Sequence, residues 1–153
     1  MSRAVIVAAP LAGTVVGLDA VPDVVFAGGM VGPGAAIEPA VDAVVVCAPA
    51  PGTLVKLHPH AFALVTVDGL GVLVHLGIDT VGLRGEGFEV LRAEGDVVSA
   101  GDPVVRWSPA DVRARGLSAV CPVVALDVDP SRVSVLPSGV VTPGDPLLEV
   151  APE

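Results

Sequence analysis

Glycine and proline recur 18 and 15 times in these 153 residues, so few windows leave room for more than two turns of helix. Between them stand valine-rich runs of roughly four to eight residues, the length and composition of short strands. Examples are Ala43 to Cys47, Ala61 to Val67, Val72 to Ile78 and Val133 to Leu136. Pro109 to Leu117 is the exception, because Ser108 offers a cap and Pro109 takes the first helical position. The pattern predicts an all-β chain, an antiparallel sandwich or barrel with that one short helix. A length of 153 residues, with no linker and no low-complexity tail, predicts a single domain over 1–153.

An internal echo adds to this. Glu94-Gly95-Asp96-x-Val98-x-x-Gly101-Asp102-Pro103 matches Ser138-Gly139-x-Val141-x-x-Gly144-Asp145-Pro146, each unit ending in Gly-Asp-Pro. The spacing resembles the duplicated hybrid strand repeat of biotinyl and lipoyl carrier domains. Such a carrier needs a lysine at an exposed hairpin, whereas the sole lysine, Lys56, stands in an apolar stretch.

Composition excludes several functions. Seventeen acidic against eight basic side chains give a formal charge of −9, which repels nucleic acid and anionic membrane surfaces and favours a basic protein partner. Mean hydropathy is +0.77, yet no run approaches the roughly 18 uninterrupted apolar residues of a spanning helix. The apolar run Ala4 to Ala9 is too short for a secretory signal, so a cytoplasmic protein without membrane insertion is predicted. Cys47 and Cys121 lack close-spaced neighbours and read as buried thiols rather than a zinc knuckle or redox pair. No phosphate-binding G-x-x-x-x-G-K-[ST] loop is present, which argues against a nucleotide kinase.

Three histidines carry the remaining chemistry: His58, His60 and His75. Asp68-Gly69 is a favoured pair for a two-residue hairpin turn. Centred there, the turn sets Val67 opposite Leu70 and His60 opposite Gly77, with His75 a diagonal neighbour of His60. Period-2 alternation then groups Phe62, Leu64, Leu73 and Asp79 with the histidines. Ala61, Ala63, Val65, Val72, Val74 and Leu76 fall on the opposite, core-facing side. A neutral imidazole is a good phosphoryl acceptor because its free nitrogen attacks without first losing a proton. A second imidazole beside it can hydrogen-bond the phosphate oxygens during in-line transfer. The geometry does not say which ring is the acceptor. The same three imidazoles also form a plausible zinc set, His58-x-His60 with His75.

Gly71-Val-Leu-Val-His75-Leu-Gly77-Ile-Asp79-Thr80-Val81 resembles the phosphorylation-site signature of the glucose-type enzyme IIA family of the phosphoenolpyruvate-dependent sugar phosphotransferase system. Collinear matches run from Leu11-Ala-Gly-Thr-Val through Asp23-Val-Val-Phe26-Ala, Met30-Val-Gly32, Ala48-Pro, Gly52-Thr, His60-Ala61 and Gly85-Glu-Gly87-Phe88 to Cys121-Pro122-Val123. The resemblance implies a phosphotransferase component with His75 as phosphoryl acceptor, its other ring nitrogen held by a carbonyl near Gly77, and His60 as the transfer partner. It implies that Asp23 and Asp79 line the site and meet basic groups of the phosphocarrier protein HPr. Phe62, Leu64, Val72 and Leu73 would supply apolar surface for HPr and then for a IIB domain. No cofactor is required, although the family accommodates zinc between its two histidines, here His60 and His75, when bound to a partner. A regulatory phospho-switch is compatible with the same residues. One departure stands out: many members carry threonine where this chain has His58, which leaves the orientation of His60 without its usual support.

Overall fold

A computed structural model describes residues 3–40, 44–136 and 139–153. Ala43, where one valine run begins, and Ser138, where the second repeat begins, lie outside the described residues. The described chain is all-β and antiparallel. Its strands, numbered in chain order, form one large sheet and two small ones. The large sheet runs β13 (Val140–Val141), β2 (Gly13–Val16), β3 (Gly34–Pro39), β11 (Cys121–Leu126), β7 (Gly71–His75), β6 (Ala61–Val65), β5 (Gly52–His58), β9 (Val97–Val98). One small sheet runs β1 (Val5–Ala8), β14 (Pro146–Val150), β12 (Val133–Val135). The other runs β4 (Val44–Cys47), β10 (Pro103–Trp107), β8 (Phe88–Val90).

The Gly-Asp-Pro echo is a real duplication. In each unit the aspartate carboxylate accepts from a backbone N–H three residues back, Ser99 to Asp102 at 2.8 Å and Thr142 to Asp145 at 2.9 Å, closing the turn before β10 and before β14. The strand order reads as a pseudo-two-fold, with β13 and β9, β2 and β5, β3 and β6, and β11 and β7 exchanging places across the large sheet. The small sheets exchange likewise. Reciprocal bonds mark the join, Ala8 N–H to Pro49 O and Cys47 N–H to Pro10 O, each at 2.8 Å.

Alternating valines and leucines of the large sheet meet the small sheets in one core that includes Leu54, Phe62, Leu64, Val72, Val74, Val105, Trp107, Leu147 and Leu148. Full burial of each such side chain is worth about 1.5–3 kcal/mol. Cys121 is buried as expected, and Cys47 is half-buried. Among the described residues no helix is long and apolar enough to cross a membrane.

Among the described residues two short α-helices form rather than one. α2 (Pro109–Ala114) is the predicted helix, with Ser108 Oγ accepting from Asp111 N–H at 3.1 Å. The other, α1 (Val24–Ala27), has β-branched residues that read as strand. Asp23 overrides that propensity by accepting from Val25 and Phe26 N–H at 2.8 and 3.2 Å, which starts a helical turn.

Candidate functional site

Two hairpins place the histidines. Between β5 and β6, His58 pairs with Ala61, so Pro59-His60 is a two-residue turn and His60 lies just outside the ladder. Between β6 and β7 the connection differs from the predicted one. Thr66 N–H donates to Leu70 O at 2.9 Å and Gly69 N–H to Thr66 O at 2.9 Å, which makes a three-residue loop of Val67, Asp68 and Gly69. Gly69 takes φ 88°, which its lack of a Cβ permits, and Thr66 Oγ1 accepts from Leu70 N–H at 3.1 Å.

The extra loop residue slips the register by one. Ala61 now faces His75 and Phe62 faces Val74, while Leu76 N–H reaches the carbonyl of His60 at 2.7 Å. The one-residue slip turns β6 over relative to β7, so the predicted faces of β6 are corrected, while Val72, Val74 and Leu76 of β7 lie in the core and Leu73 beside His75, as the alternation predicts. Phe62, Leu64 and Val72, expected at the docking surface, are 1%, 0% and 0% exposed and belong to the core. Ala61 and Ala63 instead share the face of His75, with the half-buried Leu73. The histidines still meet, because the turn frees His60 from strand alternation: the two ring centroids are 5.3 Å apart, edge to face at 72°.

His75 is oriented tightly. Its Nδ1 lies 2.6 Å from Gly77 O. A carbonyl only accepts, so Nδ1 carries the proton and Nε2 keeps its lone pair. Gly77 can present that carbonyl because it sits at φ 77°, while Thr80 Oγ1 donates to Leu76 O at 2.7 Å and Ile78 N–H to Ser118 O at 3.0 Å. Phe26 of α1 packs edge to face with the His75 ring, centroids 5.3 Å apart. Burial pushes the His75 imidazole below its ordinary pKa, against an upward pull from the Gly77 carbonyl and the Asp23 and Asp79 carboxylates. His60 is also lowered, by burial first and then by the charges of His75 and His58. Both rings are neutral near pH 7.

The carboxylates expected at the site are present in different roles. Asp23 is half-buried and caps α1, which seats Phe26 against His75. Asp79 is exposed, at φ 63°, and opens the 3-10 turn Thr80–Leu83. His58 does not converge with the other two to make a three-imidazole set. Its ring stacks on His60 at 24° with centroids 5.7 Å apart, and no group of three or more metal-binding side chains is assembled among the described residues.

The apolar surface flanking the pair comes from residues that the strand pattern did not single out. Val24 (83% exposed), Val25 and Met30 project from α1 and the turn after it, and Val81 from the 3-10 turn beyond Asp79. The signal was available in Asp23-Val-Val-Phe26: a capping aspartate before three apolar residues, of which a single helical turn can bury only one.

The described residues thus form an antiparallel β-sandwich with a duplicated core and one carbonyl-anchored imidazole beside a second. The solved structure of glucose permease IIA from Mycoplasma capricolum superposes with a TM-score of 0.86 at 34% identity, covering 96% of each chain. Residues 5–130 match the model of the phosphoenolpyruvate-dependent sugar phosphotransferase system EIIA 1 family. A glucose-specific EIIA component of Staphylococcus aureus is 42% identical over 123 residues, 79% of this chain and 73% of that one. An N-acetylglucosamine-specific EIICBA component of Klebsiella pneumoniae is 43% identical over 145 residues, 92% of this chain but 22% of that protein. The chain therefore spans about a fifth of that relative's length. It belongs to the EIIA 1 family of the sugar phosphotransferase system.

Proposed function

We propose that this chain is a phosphoryl carrier that accepts phosphate from phospho-HPr on Nε2 of His75 and passes it to a sugar-specific IIB domain. The reading rests on one observation, the Nδ1 contact to Gly77 O, which leaves the Nε2 lone pair free on a ring that packs against His60. Nε2 attacks phosphorus in line as the bond to the donor nitrogen breaks, and no proton has to leave His75. The product ring carries phosphate on Nε2 and a proton on Nδ1, and so bears positive charge. The groups that pull the His75 pKa upward, Gly77 O, Asp23 and Asp79, stabilise that charge as well. His60 donates to the phosphoryl oxygens and assists departure to the next acceptor.

Val24, Val25, Met30 and Val81 supply the apolar docking surface, and Asp23 and Asp79 the negative charge that a basic partner requires. The sugars are of the glucose class, the setting is cytoplasmic, and the charge brought by the phosphoryl group makes the same face a regulatory switch. Two imidazoles supply half of a tetrahedral set, so a zinc ion between His60 and His75 would take its other ligands from a partner.

The test is labelling from phosphoenolpyruvate through enzyme I and HPr, which should give an acid-labile, base-stable phosphoprotein. His75→Ala should abolish the label. His60→Ala should accept phosphate and fail to deliver it to a IIB domain, and delivery at the wild-type rate would refute the role of His60.

A further inference from the structure

His75 is anchored by a hydrogen bond, whereas among the described residues none reaches the ring of His60. What holds His60 is contact between rings. Phe26, His75, His60 and His58 form a continuous row with centroid separations of 5.3, 5.3 and 5.7 Å. His75 meets His60 edge to face, and His58 lies nearly parallel to it on the solvent side. Chain geometry builds this contact. His58 is the last residue of β5 and His60 the second residue of the Pro59-His60 turn, so both imidazoles emerge at one end of the hairpin. Proline at position 59 fixes its own φ, which restricts how that turn can swing.

We infer that His58 is a positioning residue for onward phosphoryl transfer, stacking on His60 to hold that ring against the phosphoryl group of His75. The inference rests on the carrier reading. A half-buried ring without hydrogen bonds can still sample several rotamers, and only those aimed at the phosphoryl oxygens assist transfer. Offset stacking at this separation restricts them without occupying either nitrogen of His60. Both nitrogens therefore stay available to the phosphoryl group.

Three variants test it: His58→Ala, His58→Phe, which keeps a ring but no nitrogen, and His58→Thr. In the unphosphorylated wild type, nuclear Overhauser contacts should join the ring protons of His58 and His60. The His58→Phe protein should keep a ring-to-ring contact with His60, and the His58→Ala protein should lose it. That readout is independent of the carrier reading. Charging of His75 by phospho-HPr should be the same in all three variants as in wild type. Delivery to a saturating soluble IIB domain should fall about tenfold in His58→Ala, less than the hundredfold that a misplacement of roughly 1 Å can cost. The KM for IIB should not change, and His58→Phe should recover delivery to within about twofold of wild type. Delivery by His58→Ala at the wild-type rate overturns the inference. So does a His58→Phe protein as slow as His58→Ala, or a full rescue by His58→Thr alone, because each assigns the effect to hydrogen bonding. If wild type itself takes no phosphate while the ring contacts are present, the carrier reading fails and the stack remains as a structural fact only.

Discussion

Gly77→Ala should damage stability and the orientation of the His75 ring together, because one peptide unit serves both. Gly77 lies at φ 77°, where a Cβ costs about 1–2 kcal/mol. That Cβ would stand 2.7 Å from Thr80 Cγ2 and 2.9 Å from Ser118 O. Neither neighbour yields easily: Thr80 is tied to Leu76 O through its hydroxyl, and Ser118 O is backbone that already accepts from Ile78 N–H. Overpacking of this kind adds about 1–3 kcal/mol. The total of about 2–5 kcal/mol is a large share of the roughly 5–15 kcal/mol that holds a domain folded. At about 2–4 °C per kcal/mol for a domain of this size, Tm should fall by about 4–20 °C. Gly82→Ala is the internal control, since its Cβ meets nothing within 4 Å and its effect should stay within about 0.5 kcal/mol. Nitrogen-15 spectra of the His75 ring supply the second readout, the proton on Nδ1 becoming a mixture of tautomers as the carbonyl moves away. Gly77→Ala protein that melts with the Gly82→Ala control and keeps its Nδ1 proton would refute this account of the site.

Both site imidazoles titrate below the ordinary histidine value of about 6.5, so the unfolded chain binds more protons than the folded one in the window beneath it. Their contribution to stability is complete above about pH 6.5 and is lost as pH falls toward the lowered folded values. Denaturant midpoints taken from pH 8 to 5 should therefore drop on the acid side, and a His60→Gln, His75→Gln double variant should flatten that slope. Asp23→Asn keeps a capping oxygen for Val25 and Phe26 N–H, so Tm should hold, while NMR titration should show the His75 midpoint moving lower as the carboxylate is lost. Phe62→Ala should cost about 3–5 kcal/mol in denaturant unfolding, as a core truncation does. Met30→Asp, at an exposed position, should leave unfolding unchanged and weaken binding of HPr in calorimetry.

What was legible in the sequence was whatever follows from punctuation and local chemistry. Recurrent Gly and Pro dictate short strands, Ser108-Pro109 dictates a helix start, and the two Gly-Asp-Pro units dictate matching turns whose aspartates close them in the same way. Register was not legible. Asp68-Gly69 serves a two-residue turn and a three-residue loop equally well, and the choice was made by Thr66, whose hydroxyl accepts from Leu70 N–H and favours the longer loop. The longer loop decides which face of β6 shares the core with Val72 and Val74 of β7, and so moves Phe62 and Leu64 from the expected docking surface to the interior.

The histidine pair survived this error for a physical reason. A strand residue is bound to one face by the two-residue period, but His60 sits in the turn after β5 and projects across the end of the sheet, while His75 ends β7 on the alanine-lined face. A functional side chain at a hairpin tip is thus insensitive to the register of the ladder it leaves. Its orientation must then come from neighbours that the tip itself supplies. In this chain those neighbours are other rings, His75 and His58, so the hydrogen-bonded hold on His75 and the ring-stacked hold on His60 have separate structural origins.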